Sequence, residues 1–325
     1  MRLPSLVAAV DRALQASGIP LSGETVVVGL SGGADSVALL DALVSLARRR
    51  ELRPVAAHLD HGLRPGSSED VTFCRELCDR FEVPLHTGAA DVRARAERER
   101  GGLEQAARRE RHGFLCRVRS ETGAAAIAVA HTLDDQAETL LMRLLRGAGA
   151  AGLGGMRPRV GRLLRPMLEV SRTDVLAHLR ERGLVWREDH TNADTRFLRN
   201  RVRHELLPYL EARFNPSLRQ GLARTARLLA DEDAHLVAEA DRLLETIAHS
   251  EGEGLVLDRL ALAQAAPALA RATVRQALRR AGGLKGVRAL HVERILSLAR
   301  AASPAGRRLP LPGGREVRYG QGELC

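Results

Sequence analysis

Short apolar runs alternate with amphipathic segments through the first part of the chain. Residues 25–28 form a β-branched run that ends at Gly29, and residues 36–43, which follow it closely, carry apolar side chains at helical spacing. Further apolar runs at 53–61 and 124–131 turn polar at their ends, and helical patterns separate them. Strands that alternate with helices favour a parallel sheet covered on both faces. We therefore predict an α/β fold with a Rossmann-like parallel sheet.

The hydrophobic pattern changes after residue 215. Residues 217–248 and 267–302 read as long helices, 250–254 and 304–314 carry breakers, and 315–319 reads as a short closing strand. A chain of 325 residues exceeds the usual size of one hydrophobic core, so two domains are expected. We predict a sheet-containing domain over 1–215 and a smaller, mainly α-helical domain over 216–325.

The loop between the first strand and its helix is the strongest chemical signal. It reads Ser-Gly-Gly-Ala-Asp-Ser at 31–36. A strand–loop–helix order directs loop amides and a helix N-terminus at one point, which favours a phosphate group. Gly32 and Gly33 let the backbone approach a ligand, the two serines add hydroxyls, and Asp35 offers a carboxylate for Mg²⁺. The loop lacks the Walker A lysine and the G-x-G-x-x-G pattern, and a ligand-free turn is the alternative for so short a motif.

Polar side chains gather where other predicted strands end. His58 and His61 close one strand, and His131 closes another, just before an acidic stretch at 134–138 that opens a helix. Ligands bind at the carboxyl ends of parallel strands, so these residues are candidate site residues. His58 and His61 point to opposite faces of a strand, so a metal shared by both is not expected. Helix capping is the alternative role for the acidic residues.

The charge balance favours a polyanionic partner. Lysine and arginine number 50 against 40 acidic residues, which gives a formal net charge of +10. Arg108 and Arg111 share one face of a predicted helix with Glu104, where surface ion pairing is the alternative. A later helix carries Arg199 and Arg203 on the face predicted to be exposed, as in a phosphate-binding helix.

Composition also excludes some classes of protein. The four cysteines form no C-x-x-C pair, so they read as reduced and structural rather than as metal ligands. No apolar run is long enough to span a membrane, and Asp11 interrupts the N-terminal run too early for a secretory signal. A cytoplasmic location is therefore expected.

Five blocks in order resemble the tRNA(Ile)-lysidine synthetase family of the PP-loop ATP pyrophosphatase superfamily. They are the loop at 31–36, His-Leu-Asp-His-Gly-Leu-Arg at 58–64, Glu104-x-x-Ala-Arg108-x-x-Arg111, Asp-Asp-Gln-Ala-Glu-Thr at 134–139 running to Arg146-Gly147, and Arg199-Asn200-x-x-Arg203 with Leu-Leu-Pro at 206–208. The resemblance covers about residues 24 to 215, and 216–325 match only in helical character. His112 and Thr132 depart from the family pattern of Tyr and His. The chain resembles the shorter form of the family.

The resemblance implies an ATP- and Mg²⁺-dependent ligase. Such enzymes join free L-lysine to carbon 2 of the wobble cytidine of tRNA(Ile) with a CAU anticodon, through an adenylated cytidine, and change its specificity from Met to Ile. The ATP-binding residues implied are Ser31, Gly32, Gly33, Ala34, Asp35, Ser36 and His58, with Asp35 on Mg²⁺. The catalytic residues implied are Asp35, Arg108, Arg111, His131, Asp134, Asp135 and Glu138. The tRNA-binding residues implied are Arg64, Arg199, Asn200 and Arg203, with 216–325 as a helical tRNA-binding domain.

In this scheme, Arg108, Arg111 and His131 neutralise charge on the α-phosphate, and the acidic residues bind or deprotonate the lysine ammonium. A tRNA thiolase with the same loop is the nearest rival, although that chemistry calls for C-x-x-C cysteines. Small-molecule amidotransferase-like ligases would leave the basic balance unexplained. A non-catalytic tRNA- or nucleotide-binding protein is the rival from another class. The sequence leaves the oligomeric state open, a homodimer included.

Overall fold

The chain folds into two compact units in a computed structural model. The model describes residues 5–62, 67–99, 102–188, 195–252, 254–301, 306, 308–320 and 323–324. The units are Met1–Arg227 and Leu228–Cys325, and they divide inside one long helix. The functional division predicted after residue 215 stays a prediction.

The first unit is built on a six-stranded sheet. Its strands are β1 Thr25–Gly29, β2 Arg53–Asp60, β3 Leu85–Ala89, β4 Ala126–Ala128, β5 Arg159–Val160 and β6 Leu163–Leu164. The strand order is β3-β2-β1-β4-β6-β5, and every pairing is parallel except that of β5 with β6. The predicted α/β fold with a Rossmann-like parallel sheet is thereby confirmed.

Helices follow the strands of this unit in turn. They are α1 Ser5–Ala16, α2 Ala34–Arg50, α3 Ser67–Arg80, α4 Val92–Glu99, α5 Leu103–Glu121, α6 Leu133–Leu145, α7 Ala150–Leu153, α8 Arg172–Glu181, α9 Leu198–Arg201, a π-helix Val202–Leu206, α10 Leu207–Arg213 and α11 Leu218–Ile247. None of the helices in the described part of the chain is long and apolar enough to cross a membrane.

The sheet is buried on both faces, which explains why β1 is a continuous valine run. Val26 and Val28 belong to one apolar cluster with the buried face of α2, whereas Val27 joins a second cluster with Phe114 and Val118 of α5. Successive strand residues point to opposite faces, so a strand covered on both sides must be apolar throughout. This packing fixes the loops after β1, β2 and β4 at one edge of the sheet.

The second unit combines helices with a small antiparallel sheet. Its strands are β7 Ala248–Glu251, β8 Gly254–Asp258, β9 Arg308–Leu311, β10 Arg315–Gly320 and β11 Glu323–Leu324, and its remaining helices are α12 Arg259–Gln264, α13 Pro267–Arg280 and α14 Ala289–Arg300. The strand predicted at 315–319 is confirmed within β10. The stretches 250–254 and 304–314 were expected only to break structure, but they contain strand residues. Those strands are short and their burial alternates weakly, so the sequence carried little signal for them.

Candidate active site at the carboxyl edge of the sheet

The glycine-rich loop after β1 has the shape that an anion site needs. Gly32 adopts a φ of +82°, and a Cβ built there would lie 3.3 Å from Cδ1 of Phe73 and 3.5 Å from Sγ of Cys74. Only glycine therefore fits this position without strain. Gly33 caps α2 without any side-chain hydrogen bond to the first turn of the helix. The first amides of α2 are thus left for an external acceptor.

The two serines of the loop stabilise its conformation. The Ser36 hydroxyl donates to the Gly33 carbonyl at 2.8 Å and accepts from the Ser31 amide at 3.1 Å. The hydroxyls of Ser31 and Ser36 lie 3.1 Å apart. These contacts shape the loop before any ligand arrives, and the predicted contact of both hydroxyls with ATP stays a prediction.

His58 supports the loop from the sheet side. It is buried on β2, and its Nδ1 lies 2.9 Å from the Leu30 carbonyl oxygen and 3.3 Å from Sγ of Cys74. Burial raises the pKa of the Cys74 thiol to about 12, so this cysteine is a protonated packing residue at neutral pH. The structure thus places His58 against the loop backbone, behind the face that α2 presents to a ligand.

Arg187 holds the loop from the other side and was not found from the sequence. Its amide donates to the Gly32 carbonyl at 3.0 Å. Its guanidinium reaches Asp70 at 3.2 Å and Glu69 at 2.7 Å, both in the first turn of α3. The glycine loop is therefore tied to the segment after α8 and to the start of α3.

Three helix N-termini meet beside the loop. Asp35 in the first turn of α2 accepts from Nη1 of Arg172 at 2.5 Å, and the Arg172 amide donates to Oδ2 of Asp134 in the first turn of α6 at 2.7 Å. Arg219 donates to Oδ1 of Asp134 at 3.0 Å. Burial raises the pKa of Asp35, and the ion pair with Arg172 offsets only part of that rise.

Arg172 and Arg219 were also missed by the sequence analysis. For Arg172 a signal existed, because it is the first residue of α8, where the helix dipole disfavours a cation. A basic residue in the first turn of a helix is stabilised by a nearby carboxylate, and Asp35 provides that carboxylate. Arg219 carries no comparable signal, since Asp134 is 85 residues away in the chain and its other acceptor, Glu211, lies outside the site.

The acidic stretch and the later arginines form one buried cluster. Thr132 and Asp135 make a capping box at the start of α6, and Oδ1 of Asp135 accepts from Arg199 at 2.7 Å and from Arg203 at 3.2 Å. Glu138 is fully buried. Its two oxygens accept from Nε of Arg199, at 2.8 Å, and from Nε of Arg203.

The charge of this cluster is internally balanced. Burial alone would raise the pKa of Asp135, but Arg199, the Thr132 backbone bond, His131 and Arg203 outweigh it, so this pKa lies below its usual value. Asp135 therefore stays ionised in the site that it shares with Glu138 and the two guanidinium groups.

The expectation of an exposed arginine face on this helix was wrong. The side chains of Arg199 and Arg203 are only 26% and 33% exposed, and Asn200 is buried. Residues four apart lie on one helix face, and that face meets α6, where Asp135 and Glu138 attract it. The contact of these three residues with tRNA stays a prediction.

His131 is neutral at physiological pH. Burial lowers its pKa to about 4, with Arg165, Arg199 and Arg108 acting in the same direction and Asp135 opposing them. Its Nδ1 has no hydrogen-bond partner among the described residues. A neutral imidazole carries no charge that could neutralise a phosphate, so the structure does not support the cationic role expected for His131. The unpartnered Nδ1 is compatible with one hydrogen bond to a ligand.

Arg108 and Arg111 on α5 are cations available to a phosphate. By surface area both residues are exposed, although burial and the charges of Arg108 and Arg199 lower the pKa of Arg111, and neither residue has an ion pair within the described ranges. Burial lowers the pKa of His61 to about 4, and the positive charge of Arg111 acts in the same direction. Arg111 and His61 therefore lie close together. Arg64 and the side chain of Glu104 lie outside the part of the chain that the structure describes.

Asp35 is the residue that best fits a magnesium ion. Its Oδ1 is taken by Arg172, but Oδ2 has no hydrogen bond within the described chain. No group of three or more metal-ligating side chains occurs among the described residues. Mg²⁺ is typically bound by one or two carboxylates together with substrate phosphates, so a single carboxylate beside a phosphate loop fits this ion.

Comparison with known proteins agrees with this geometry. The model of the PP-loop domain matches residues 6–210, and the model of the TilS substrate binding domain matches residues 257–325. The tRNA(Ile)-lysidine synthase of Geobacter sulfurreducens is 45% identical over 297 residues, which are 89% of this chain and 62% of that protein. The enzyme of Solibacter usitatus is 43% identical, over 90% of this chain and 65% of that protein. The chain thus spans less than two thirds of the length of these relatives.

Solved structures show the same fold. The U34-tRNA thiolase NcsA from Methanococcus maripaludis superposes with a TM-score of 0.56 at 17% identity, covering 69% of this chain and 80% of that chain. At this identity the likeness concerns the fold alone. The match of the PP-loop model to most of the chain and the identity to the curated synthases confirm the resemblance read from the five blocks. The chain belongs to the PP-loop family, within which it is similar to the tRNA(Ile)-lysidine synthases.

Proposed function

We propose that this protein is an ATP-dependent ligase that joins free L-lysine to carbon 2 of the wobble cytidine of tRNA(Ile) with a CAU anticodon. The observation that carries the proposal is the junction at Arg172. It links the phosphate-type loop through Asp35 to the acidic start of α6 through Asp134. The loop proposed to bind ATP and the carboxylates proposed to bind the lysine ammonium therefore lie at one edge of the sheet.

In the first step the cytosine 2-oxygen attacks the α-phosphorus of ATP, and pyrophosphate leaves. The amides of Gly33 to Ser36 would hold the leaving pyrophosphate at the N-terminus of α2. Arg108 and Arg111 would stabilise charge at the α-phosphate. The neutral His131 would donate or accept one hydrogen bond there. Mg²⁺, held by Asp35 and the phosphates, would supply further charge neutralisation.

In the second step the lysine ε-amine attacks carbon 2 of the adenylated base, and AMP leaves. Its ammonium must first lose a proton, because the protonated amine has no lone pair. Asp134, Asp135 and Glu138 would bind or deprotonate the ammonium. Glu138 is covered by Arg199 and Arg203 in the free protein, so the ammonium would take the place of one guanidinium.

Radiolabelled lysine incorporation tests the proposal directly. An unmodified tRNA(Ile) transcript with a CAU anticodon should accept lysine in the presence of ATP and Mg²⁺ and release AMP and pyrophosphate, whereas an elongator methionine transcript should not. Asp135→Asn should abolish lysine transfer and retain ATP binding. Absence of pyrophosphate release by the wild-type chain under these conditions would favour a non-catalytic binding protein.

The thiolase alternative predicts a different role for the cysteines. Burial raises the pKa of Cys74 to about 12 and that of Cys78 to about 11, so neither is a ready thiolate. A Cys74→Ala protein is therefore expected to retain lysine transfer. Loss of an RNA-sulfur product in that variant would instead support sulfur transfer.

A further inference from the structure

The exposed aromatic residues of the protein are concentrated in one segment. The chain has one Trp, two Tyr and five Phe. Five of these pack on the apolar clusters of the two units: Phe73, Phe81, Trp186, Phe114 and Tyr319. The other three, Phe197, Tyr209 and Phe214, are 47%, 58% and 72% exposed. Phe197 immediately precedes α9, Tyr209 lies within α10 and Phe214 immediately follows α10, so all three belong to the segment 197–214, which also provides Arg199 and Arg203.

Tyr209 and Phe214 form a surface that we call the aromatic pair. Their ring centroids lie 6.2 Å apart with an interplanar angle of 62°, an edge-to-face arrangement. Each ring nevertheless leaves more than half of its area to water. Such rings lose little conformational entropy when they bind a flat partner, because they have few rotatable bonds and already contact each other.

The segment that carries the aromatic pair packs against α6, the helix of the carboxylate cluster. Val202 and Leu207 are buried with Leu141 of α6, the helix that carries Asp135 and Glu138. A π-helix over Val202–Leu206 separates α9 from α10, and a π-bulge of this kind is frequent at functional sites.

The exposed charged residues near the pair along the chain are mostly basic. Arg201 and Arg213 are exposed, and neither has an ion pair within the described residues, whereas Glu205 is the exposed acid of this segment. The other arginines here, Arg199 and Arg203, already face carboxylates. An aromatic surface flanked by free guanidinium groups suits unpaired bases joined by phosphates better than an acidic or purely apolar protein surface.

We propose that the aromatic pair is a stacking surface for unpaired RNA bases, with Arg201 and Arg213 contacting the adjoining phosphates. This inference rests on the proposed function, since an enzyme that acts on a loop base must hold the neighbouring bases once that base leaves the stack. Stacking on Tyr209 and Phe214 provides this without reading a sequence, because every base has a π-face.

Affinity for RNA tests the inference with the full chain. The probe is a short RNA hairpin whose loop carries the CAU triplet, and a fully paired duplex of equal length is the second ligand. Tyr209→Ala and Phe214→Ala should each weaken hairpin binding by about five- to a hundredfold and leave duplex binding unchanged. Tyr209→Phe should bind like the wild type. Val160→Ala, which truncates another exposed apolar residue, should have no effect.

Salt dependence separates stacking from phosphate contact. The two alanine variants should keep the wild-type slope of log affinity against log salt, whereas Arg213→Ala should reduce that slope by about 1. Unchanged hairpin affinity in both alanine variants would overturn the inference. A change in self-association, measured by sedimentation, with RNA affinity intact would overturn it in favour of a protein interface. Failure of the wild-type chain to bind the hairpin would also overturn it, whereas failure to transfer lysine to tRNA(Ile) with hairpin binding intact would refute the proposed function alone.

Discussion

Replacing Glu138 by Gln tests whether the carboxylate cluster is the buried centre of the site. Both Glu138 oxygens accept from arginine Nε atoms, and the side chain has no exposure to water. The amide keeps the shape of the side chain but turns one acceptor into a donor that faces a guanidinium. It also leaves Asp135 as the only anion of the cluster to balance both Arg199 and Arg203.

The expected cost follows from these contacts. Removing one partner of a buried ion pair costs about 3–5 kcal/mol when the other charge is left alone. Here Asp135 still pairs with both arginines, and their side chains are 26% and 33% exposed, so water recovers part of the loss. We expect the free energy of unfolding to fall by roughly 2–3 kcal/mol, which lowers the melting temperature by roughly 5–10 °C.

Urea denaturation and thermal melting of the purified variant measure this loss. Glu205→Gln is the matched control, because Glu205 is an exposed acid of the same π-helical turn and its replacement should change stability by no more than about 0.5 kcal/mol. A Glu138→Gln protein that unfolds at the wild-type urea concentration would refute the reasoning. That result would mean that the carboxylate and the two guanidinium groups do not share a desolvated site.

Three further predictions concern the loop, the buried histidine and the junction. Gly32→Ala should impair ATP binding and cost about 1–2 kcal/mol of stability, because of its positive φ and the contact with the α3 side chains. Gly33→Ala, where a Cβ meets only the Ser31 hydroxyl at 3.5 Å, should fold like the wild type in the same melting assay. Burial and nearby arginines hold the pKa of His131 at about 4, so the unfolded chain takes up this proton first as the pH falls. His131 therefore makes its full contribution to the free energy of unfolding above about pH 6.5, and this contribution decreases by up to about 3 kcal/mol as the pH falls towards 4. In urea denaturation at a series of pH values, the His131→Asn variant should not show this part of the decrease. Arg172→Ala should raise KM for ATP about tenfold or more, since Asp35 is then left without its cation beside the phosphates, whereas Arg180→Ala on the exposed side of α8 should leave KM unchanged. Equal KM values for these two variants would remove Arg172 from the site.

The sheet and its loop could be predicted because their signals are local. Three valines that end at a glycine favour a strand buried on both faces, and Gly32 and Gly33 lie where that strand leads into the next helix. The small sheet of the second unit could not be predicted in the same way. Its strands are short and partly exposed, and they are held by pairing with segments far along the chain.

The arginines mark the limit of sequence reasoning most clearly. Their number and their place on helices suggested a solvent-exposed, phosphate-binding face, and composition alone offers no way to see otherwise. Arg199 lies 61 residues after Glu138 in the chain, and their contact exists only because α9 and the π-helix pack against α6. The energy of an ion pair depends on the distance between the two charges in the folded chain, and the sequence does not give that distance.

By itself, then, the sequence determined the strand–loop–helix unit, the family and the set of charged residues at the edge of the sheet. The tertiary structure decided which of those charges neutralise one another. It turned Arg199 and Arg203 inward onto Asp135 and Glu138, joined Asp35 to Asp134 through Arg172, and lowered the pKa of His131 by burial. The physical reason is that chain-local pattern fixes backbone conformation, whereas desolvation and ion pairing depend on what the folded chain brings within a few ångströms.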